Sequence, residues 1–442
     1  MSGLTEKNSP KRQLSADGAA DLRRRAAPSA LTRHSGEAID TKTRTMEFQM
    51  MPIHKPLVLI ALLAALLPTC FAFADAASQE NDVAALGAEV TALSGQALDD
   101  DAIHRLIAID QTLATEQVVN VAVDQQRVLT ALAKSQNAGA LEHVRSVFEN
   151  APERRGSAAR ALAAATTIRP TDLQDWRYMV RSLPVVQGDE AVDVLSALQR
   201  FRTLANKGQW VRQVILIGLQ LPVNQQSAAT GLLRHWTGVP LKKSEVGEWT
   251  LEKYQQWFSQ EYPDQPEAVL PVDLTGRKWT MLTLEPALQT FRTSDTMVQQ
   301  GELVYQKAGC QKCHRRGKVG EALGPDLTSL GWRRQRREIL HATLYPSHEL
   351  NEEYPTVTIV LKSGKSLTGM MSASSADALA IVSSTGIREE LSRTDVETIV
   401  NQKISNMPDG LLEPLSEDEI MSLIALLAST DGVPLPHSDA GP

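Results

Sequence analysis

After Val83, apolar residues return at every third or fourth position along much of the first half of the chain. The stripes include Ile103, Leu106 and Ile107; Val128, Leu129 and Leu132; Leu141, Val144 and Val147; Val192, Leu195 and Leu198; and Val211, Val214, Ile215 and Leu219. That spacing is the period of a helix with one buried face. Breaks fall at Gly95, Asn137 to Gly139, Pro152, Pro170, Pro184, Gly188 and Pro222. Up to Tyr262 the pattern predicts about ten helices, mostly ~10 to 20 residues long, with short connections. Such a run reads as a HEAT-like α-solenoid or as an irregular helical bundle, since no strict repeat aligns. Residues 75–270 hold no nucleophile–base pair, metal cluster or Gly-rich phosphate loop, so they read as a scaffold or docking surface. His104 and His143 stand alone and read as surface residues.

Aromatic residues close the segment: Trp236, Tyr254, Trp257, Phe258 and Tyr262, read as packing of its last helix. Pro263, Pro266, Pro271 and the polar residues from Asp273 to Lys278 mark a linker, placed at 271–295. A helix from Thr296 to Lys307 follows, with Thr293, Ser294 and Asp295 offering its N-cap. The period then changes from helical to extended over 353–400, where Thr356–Leu361, Ser366–Met370, Ala378–Val382 and Ile387–Leu391 are short β-rich runs. Turns are expected at Ser363-Gly364 and Thr385-Gly386. Four or five strands ending near Val400 suggest a small twisted sheet or SH3-like barrel. The last helix starts at Ser416, with Glu419 at the capping-box position, and carries Leu423, Ile424, Leu426 and Leu427.

The 442 residues suffice for two or three domains. Residues 1–50 are poor in apolar clusters and read as a disordered extension or a start assigned too far upstream, with Met46, Met50 or Met51 as the true start. Residues 51–74 have the three parts of a secretory signal peptide: Lys55, the apolar run Leu57–Leu67, and Ala72-Phe73-Ala74. A retained membrane anchor is the rival reading; Leu57 to Ala74 spans 18 residues, at the low end of a membrane span, and Pro68 breaks it. A lipoprotein reading through Cys70 is weaker because of the same proline. Cleavage after Ala74 leaves 35 basic and 46 acidic residues, a net charge of −11. So acidic a chain is a poor match for nucleic acid. Export places it in the periplasm or outside the cell.

The remaining chemistry sits at Cys310-Gln311-Lys312-Cys313-His314. This is the C-x-x-C-H pattern of covalent c-type haem attachment: two thiols form thioethers with the haem vinyl groups, and the adjacent imidazole binds the iron. A structural zinc site needs four ligands and would have to recruit His341 or His348 at no familiar spacing. A redox dithiol is expected beside a βαβ pattern, which is missing. Export supports haem, since covalent attachment takes place outside the bacterial inner membrane, and no spare thiol remains after cleavage. Between Lys307 and Arg337 nine basic residues face two acidic ones. They read as a ring steering an acidic redox partner, with one or two on haem propionates, or as a solvated helix face.

The stretch around the motif resembles a class I cytochrome c. In that family a glycine lets the first helix cross the last at close range, and an aromatic residue stands before the first cysteine. Gly301 and Tyr305 match those positions. A G-P-x-L turn follows, here Gly324-Pro325-Asp326-Leu327. The resemblance implies that the Pro325 carbonyl fixes His314 through Nδ1 and that Leu327 packs on the haem. It also implies that Met407, in Asn406-Met407-Pro408 ahead of the last helix, is the sixth ligand. Met370 and Met371 read as packing, and His341 or His348 as a bis-His alternative. The ordered set of motifs from about 296 to 430 is similar to the haem-binding domain of large secreted planctomycete- and verrucomicrobia-type proteins, often found behind helical repeats. The resemblance covers about a third of the chain. It implies a mainly α multidomain protein: a HEAT-like region at 75–270, then a cytochrome c domain at 296–435 with one covalent haem c and a β insert. It implies an electron carrier rather than a catalyst. The alternatives are a peroxidase-like enzyme or sensor with an open sixth position, and an envelope scaffold.

Overall fold

The computed structural model describes residues 84–115, 121–168, 172–239, 249–273, 276–373 and 375–430. The expected N-terminal extension, signal peptide and Cys70 lie outside them. The described chain is mainly helical, with one five-stranded antiparallel sheet toward its C-terminal end. No helix among the described residues is long and apolar enough to cross a membrane.

Among the described residues, ten helices come first: α1 (84–94), α2 (Asp100–Thr115), α3 (Val121–Lys134), α4 (Ala138–Asn150), α5 (Arg155–Ala165), α6 (Leu173–Ser182), α7 (Gly188–Leu198), α8 (Gly208–Gln220), α9 (Ser227–Thr237) and α10 (Leu251–Glu261). Their ends follow local chemistry. Asn137 caps α4 by accepting from the Gly139 and Ala140 amides, and Asp172 caps α6 through the Gln174 amide. Gly238 ends α9 in the left-handed region at φ 72°. From α2 to α9 each helix packs on the next, and α3, α5, α7 and α9 also pack on one another in turn. Helix α5 touches α3, α4, α6 and α7. Its sequence allows this, because Ala158, Ala159, Ala161 and Ala163 keep its surface thin and let its neighbours come close. Trp249, Tyr254, Trp257 and Tyr262 close the array with edge-on ring contacts, as expected.

His143 corrects the surface reading. Its Nε2 lies 2.9 Å from Oδ2 of Asp110, a carboxylate only 1% exposed. Arg154 holds the other oxygen at 2.5 Å. A lone histidine in a sequence carries no sign of a partner 33 residues away.

A second core forms from Leu284, Leu288, Val304, Tyr305, Ile339, Leu340, Leu412, Ile420, Leu423 and Ile424. It is built by α11 (Met281–Thr290), α12 (Asp295–Lys307), α13 (Leu330–Arg333), α14 (Arg336–Leu344) and α15 (Glu417–Ala428). The expected linker 271–295 therefore contains a core helix. Thr280 and Thr283 form a capping box that starts α11, and Leu284 and Leu288 are buried one turn apart. Pro286 lies inside α11 and withholds one N–H from its ladder. Ser416 and Glu419 make the expected capping box of α15.

The sheet comprises β1 (Thr356–Leu361), β2 (Ser366–Ala373), β3 (Ala378–Val382), β4 (Arg388–Ser392) and β5 (Val396–Asn401), in the order β4-β3-β2-β1-β5. Four strands meander and the fifth returns beside β1, pairing Ile359 with Ile399. Gly364 and Gly386 take the tight turns at φ 85° and 84°.

The two cores are tied by Arg155. Its guanidinium donates to the carbonyls of Phe148 (3.1 Å), Trp332 (2.9 Å) and Arg333 (2.5 Å). Gln335 adds a bond to the Pro152 carbonyl, and Arg336 pairs with Glu153.

Candidate cofactor site

Helix α12 aims the cysteine motif. Ser294 caps it through the Met297 amide, and Gly301 lets it lie against α15. A Cβ at Gly301 would overlap the Ser422 carbonyl oxygen and stand 2.6 Å from Leu426 Cβ, so the crossing needs glycine. The chain leaves α12 through Gly309 at φ 78° and enters a single 3-10 turn, Cys310–Lys312. There the His314 amide donates to the Cys310 carbonyl at 2.9 Å. The following loop folds back on the motif: the Leu323 and Gly324 amides donate to the Cys313 carbonyl at 3.0 and 2.7 Å. Buried Tyr305 donates its hydroxyl to the His314 carbonyl at 2.6 Å.

The imidazole is held from two sides. His314 Nδ1 lies 2.9 Å from the Pro325 carbonyl, which acts as acceptor and fixes the proton on Nδ1. Gly324 leaves the ring its room, since a Cβ there would stand 2.9 Å from Cε1. Burial lowers the His314 pKa, against a smaller opposing effect of the Pro325 bond. The ring is therefore neutral at ordinary pH, with Nε2 as the free electron pair. Burial pushes the Cys310 thiol up to about 11 and raises Cys313 too. Neither is in a disulfide. Among the described residues no group of three or more His, Cys, Asp or Glu side chains is placed to hold a metal ion.

Cys310, Cys313, His314 and Pro325 line one cavity of about 760 Å³, and Met407 lines it as well. Asn406 is buried and donates to the Val382 carbonyl at 3.2 Å, which ties the Met407 loop to β3. Ser405 Oγ accepts from the Met407 amide at 3.1 Å. Leu327 is not on the cavity wall; it packs into the core beside α12 and α15. Tyr305 supports the motif from behind. His341 and His348 do not line the cavity either. Their rings stand 5.1 Å apart, against each other.

Two parts of the wall were not foreseen. Met370 of β2, read as packing, lines the same cavity as Met407, while Met371 points outward at 45% exposure. Strand alternation separates the two, but nothing in the sequence says which face meets the cavity. Asp264, Gln265 and Pro266, at the end of the helical array, form another part of the wall.

The basic cluster is mostly spoken for. Lys307 pairs with Glu419, Arg315 with Asp326, Arg334 with Glu338, Arg336 with Glu153 and Arg337 with Glu285. Arg316 donates to the Leu426 carbonyl and Arg333 to that of Asp326. Among the described residues only Lys312 and Lys318 of the nine have no partner, and Lys312 is at the cavity. Asp326 shows the coupling: burial raises its pKa, but bonds from Thr328 and Arg315 outweigh this and hold it at about 2.

No protein-family model matches the chain, and no curated protein matches it.

Proposed function

We propose that the chain is an exported monohaem c-type cytochrome that transfers electrons without binding a substrate at iron. The observation that carries this reading is the convergence of Cys310, Cys313, His314 and Met407 on one cavity, with Nδ1 of His314 already taken by Pro325. The residues present fit the group. Two thiols and a neutral imidazole stand at one wall, Met407 is at the cavity, and its volume of about 760 Å³ is in the range of cofactor pockets. Cys310 and Cys313 would hold haem covalently, and His314 Nε2 and the Met407 sulfur would bind its iron. When bound, haem supplies a one-electron Fe(III)/Fe(II) couple. Pro325 fixes the imidazole tautomer and orientation. Tyr305 and the Cys313 carbonyl bonds keep the motif loop from shifting.

In this reading α2–α10 form a HEAT-like solenoid that docks a partner, the sheet is an SH3-like insert that closes the cavity, and the unpaired Lys312 and Lys318 lie where an acidic redox partner approaches. The test is the intact mass of the protein exported from a host that makes c-type haem. One haem per chain is expected, surviving denaturation and lost in Cys310→Ser with Cys313→Ser. A chain that carries no haem under those conditions overturns the proposal.

A further inference from the structure

A second cavity of about 760 Å³ lies across α3, α5 and α7 and shares no wall residue with the first. The three helices each turn one stripe of side chains toward it, at the spacing of a single helix face. Ala131, Ala163 and Ala164 give it a floor of small residues.

Its two edges differ in chemistry. At one edge three side chains lie side by side. Gln126 Nε2 donates to the Ser157 carbonyl at 3.3 Å, and Ser157 Oγ donates to Glu190 Oε1 at 3.3 Å. The Gln126 Oε1 atom is buried and accepts nothing. Glu190 lies over Gly156, which has no side chain to keep it away. Burial raises its pKa, against smaller lowering effects of the Ser157 bond and of Arg160. A buried acceptor without a donor is costly, so Gln126 Oε1, with the Glu190 carboxylate beside it, suits this edge to incoming N–H groups. At the other edge stand Lys134 and Arg200, roughly 12 to 15 Å away along the helices at 1.5 Å per residue. Lys134 has no partner among the described residues. Arg200 gives one bond to Thr166 Oγ1 and has no carboxylate beside it. Arg127 and Arg160, between the edges, are neutralised by Asp124 and Asp193.

A simple anion would satisfy Lys134 and Arg200 and leave the acceptors unmet. A nucleic-acid backbone would meet Glu190 and Asp193. An extended chain of about four residues spans the distance at ~3.3 Å per residue and carries both kinds of group. We propose that this groove binds an extended acidic peptide segment of a partner protein, with main-chain N–H groups on Gln126 and Glu190 and carboxylates on Lys134 and Arg200. The proposal rests on the docking role given above to α2–α10 and does not depend on the haem.

The test is fluorescence anisotropy of the full-length exported protein with three labelled probes: a hexapeptide alternating alanine with aspartate, its lysine counterpart, and an oligothymidylate. The aspartate peptide should bind, and the lysine peptide and oligonucleotide should not. Lys134→Ala with Arg200→Ala should weaken binding at least ten-fold, and Gln126→Leu several-fold with little change in salt dependence. Lys134→Glu with Arg200→Glu should transfer preference to the lysine peptide, a gain that a misfolded protein would not show. No binding of the aspartate peptide, equal binding of the lysine peptide, or undiminished binding by the double alanine variant overturns the proposal. The visible spectrum of the same samples reads the haem separately, so either reading can fail without the other.

Discussion

Gly301→Ala separates packing from helix propensity at the crossing that aims the cysteine motif. In an isolated helix alanine is favoured over glycine by about 1 kcal/mol. Here the added methyl would overlap the Ser422 carbonyl oxygen and stand 2.6 Å from Leu426 Cβ, against an optimum of roughly 3.5 to 4.0 Å for carbon atoms. The oxygen is main chain within α15 and cannot rotate away, so α12 and α15 must separate by about 1 Å. Overpacking of this kind costs ~1 to 3 kcal/mol, and a rigid neighbour puts it at the upper end. The net loss is about 2 kcal/mol, or roughly a 30-fold fall in local protection. Amide hydrogen exchange of residues 417–428, read by mass spectrometry, measures it directly. Unchanged protection, or the roughly five-fold rise that propensity alone would give, refutes the close crossing.

Three further outcomes follow from the same structure. Arg155→Ala strips the donor from three carbonyls and should lower stability by about 3 kcal/mol in calorimetry, where an unchanged transition would show that Arg155 does not clamp the two cores. Burial, then His348, Arg337 and Arg212, takes His341 down to about 4, below its ordinary value near 6.5. The unfolded chain then binds that proton more tightly, so stability is full above about pH 6.5 and falls toward pH 4, by about 2 kcal/mol at pH 5. His341→Gln should lose that share of the acid sensitivity of the urea midpoint; a wild-type midpoint that ignores pH between 7.5 and 5 contradicts it. Ser416→Ala removes the acceptor of the Glu419 amide and should cost about 1 kcal/mol of α15 stability, seen as faster exchange in its first turn.

The helices of the first half were legible because each buries one face, so period and caps agree. The strands were legible for the same reason at period two, with Ala378–Val382 matching its expected bounds. Cys310, Cys313 and His314 stand out through spacing, and the Pro325 contact follows the G-P-x-L resemblance. What was hidden is long-range. The α11 stretch reads as a linker because Pro286 and its polar flanks mask Leu284 and Leu288, whose partners lie on α14 and α15. The basic cluster reads as free charge because a sequence counts cations but not the carboxylates that reach them, such as Glu153 and Glu285. Met370 looks like any strand residue until the sheet is folded over the cavity.

The most direct test of the haem reading is the visible spectrum of the exported protein, oxidised and reduced, with and without carbon monoxide. The account predicts a low-spin reduced spectrum that carbon monoxide leaves unchanged, becoming responsive to it in Met407→Ala while Met370→Ala behaves as the parent. A high-spin parent that binds carbon monoxide would contradict Met407 ligation and favour an open site. A Met407→Ala protein that still excludes carbon monoxide would place the sixth ligand elsewhere in the cavity.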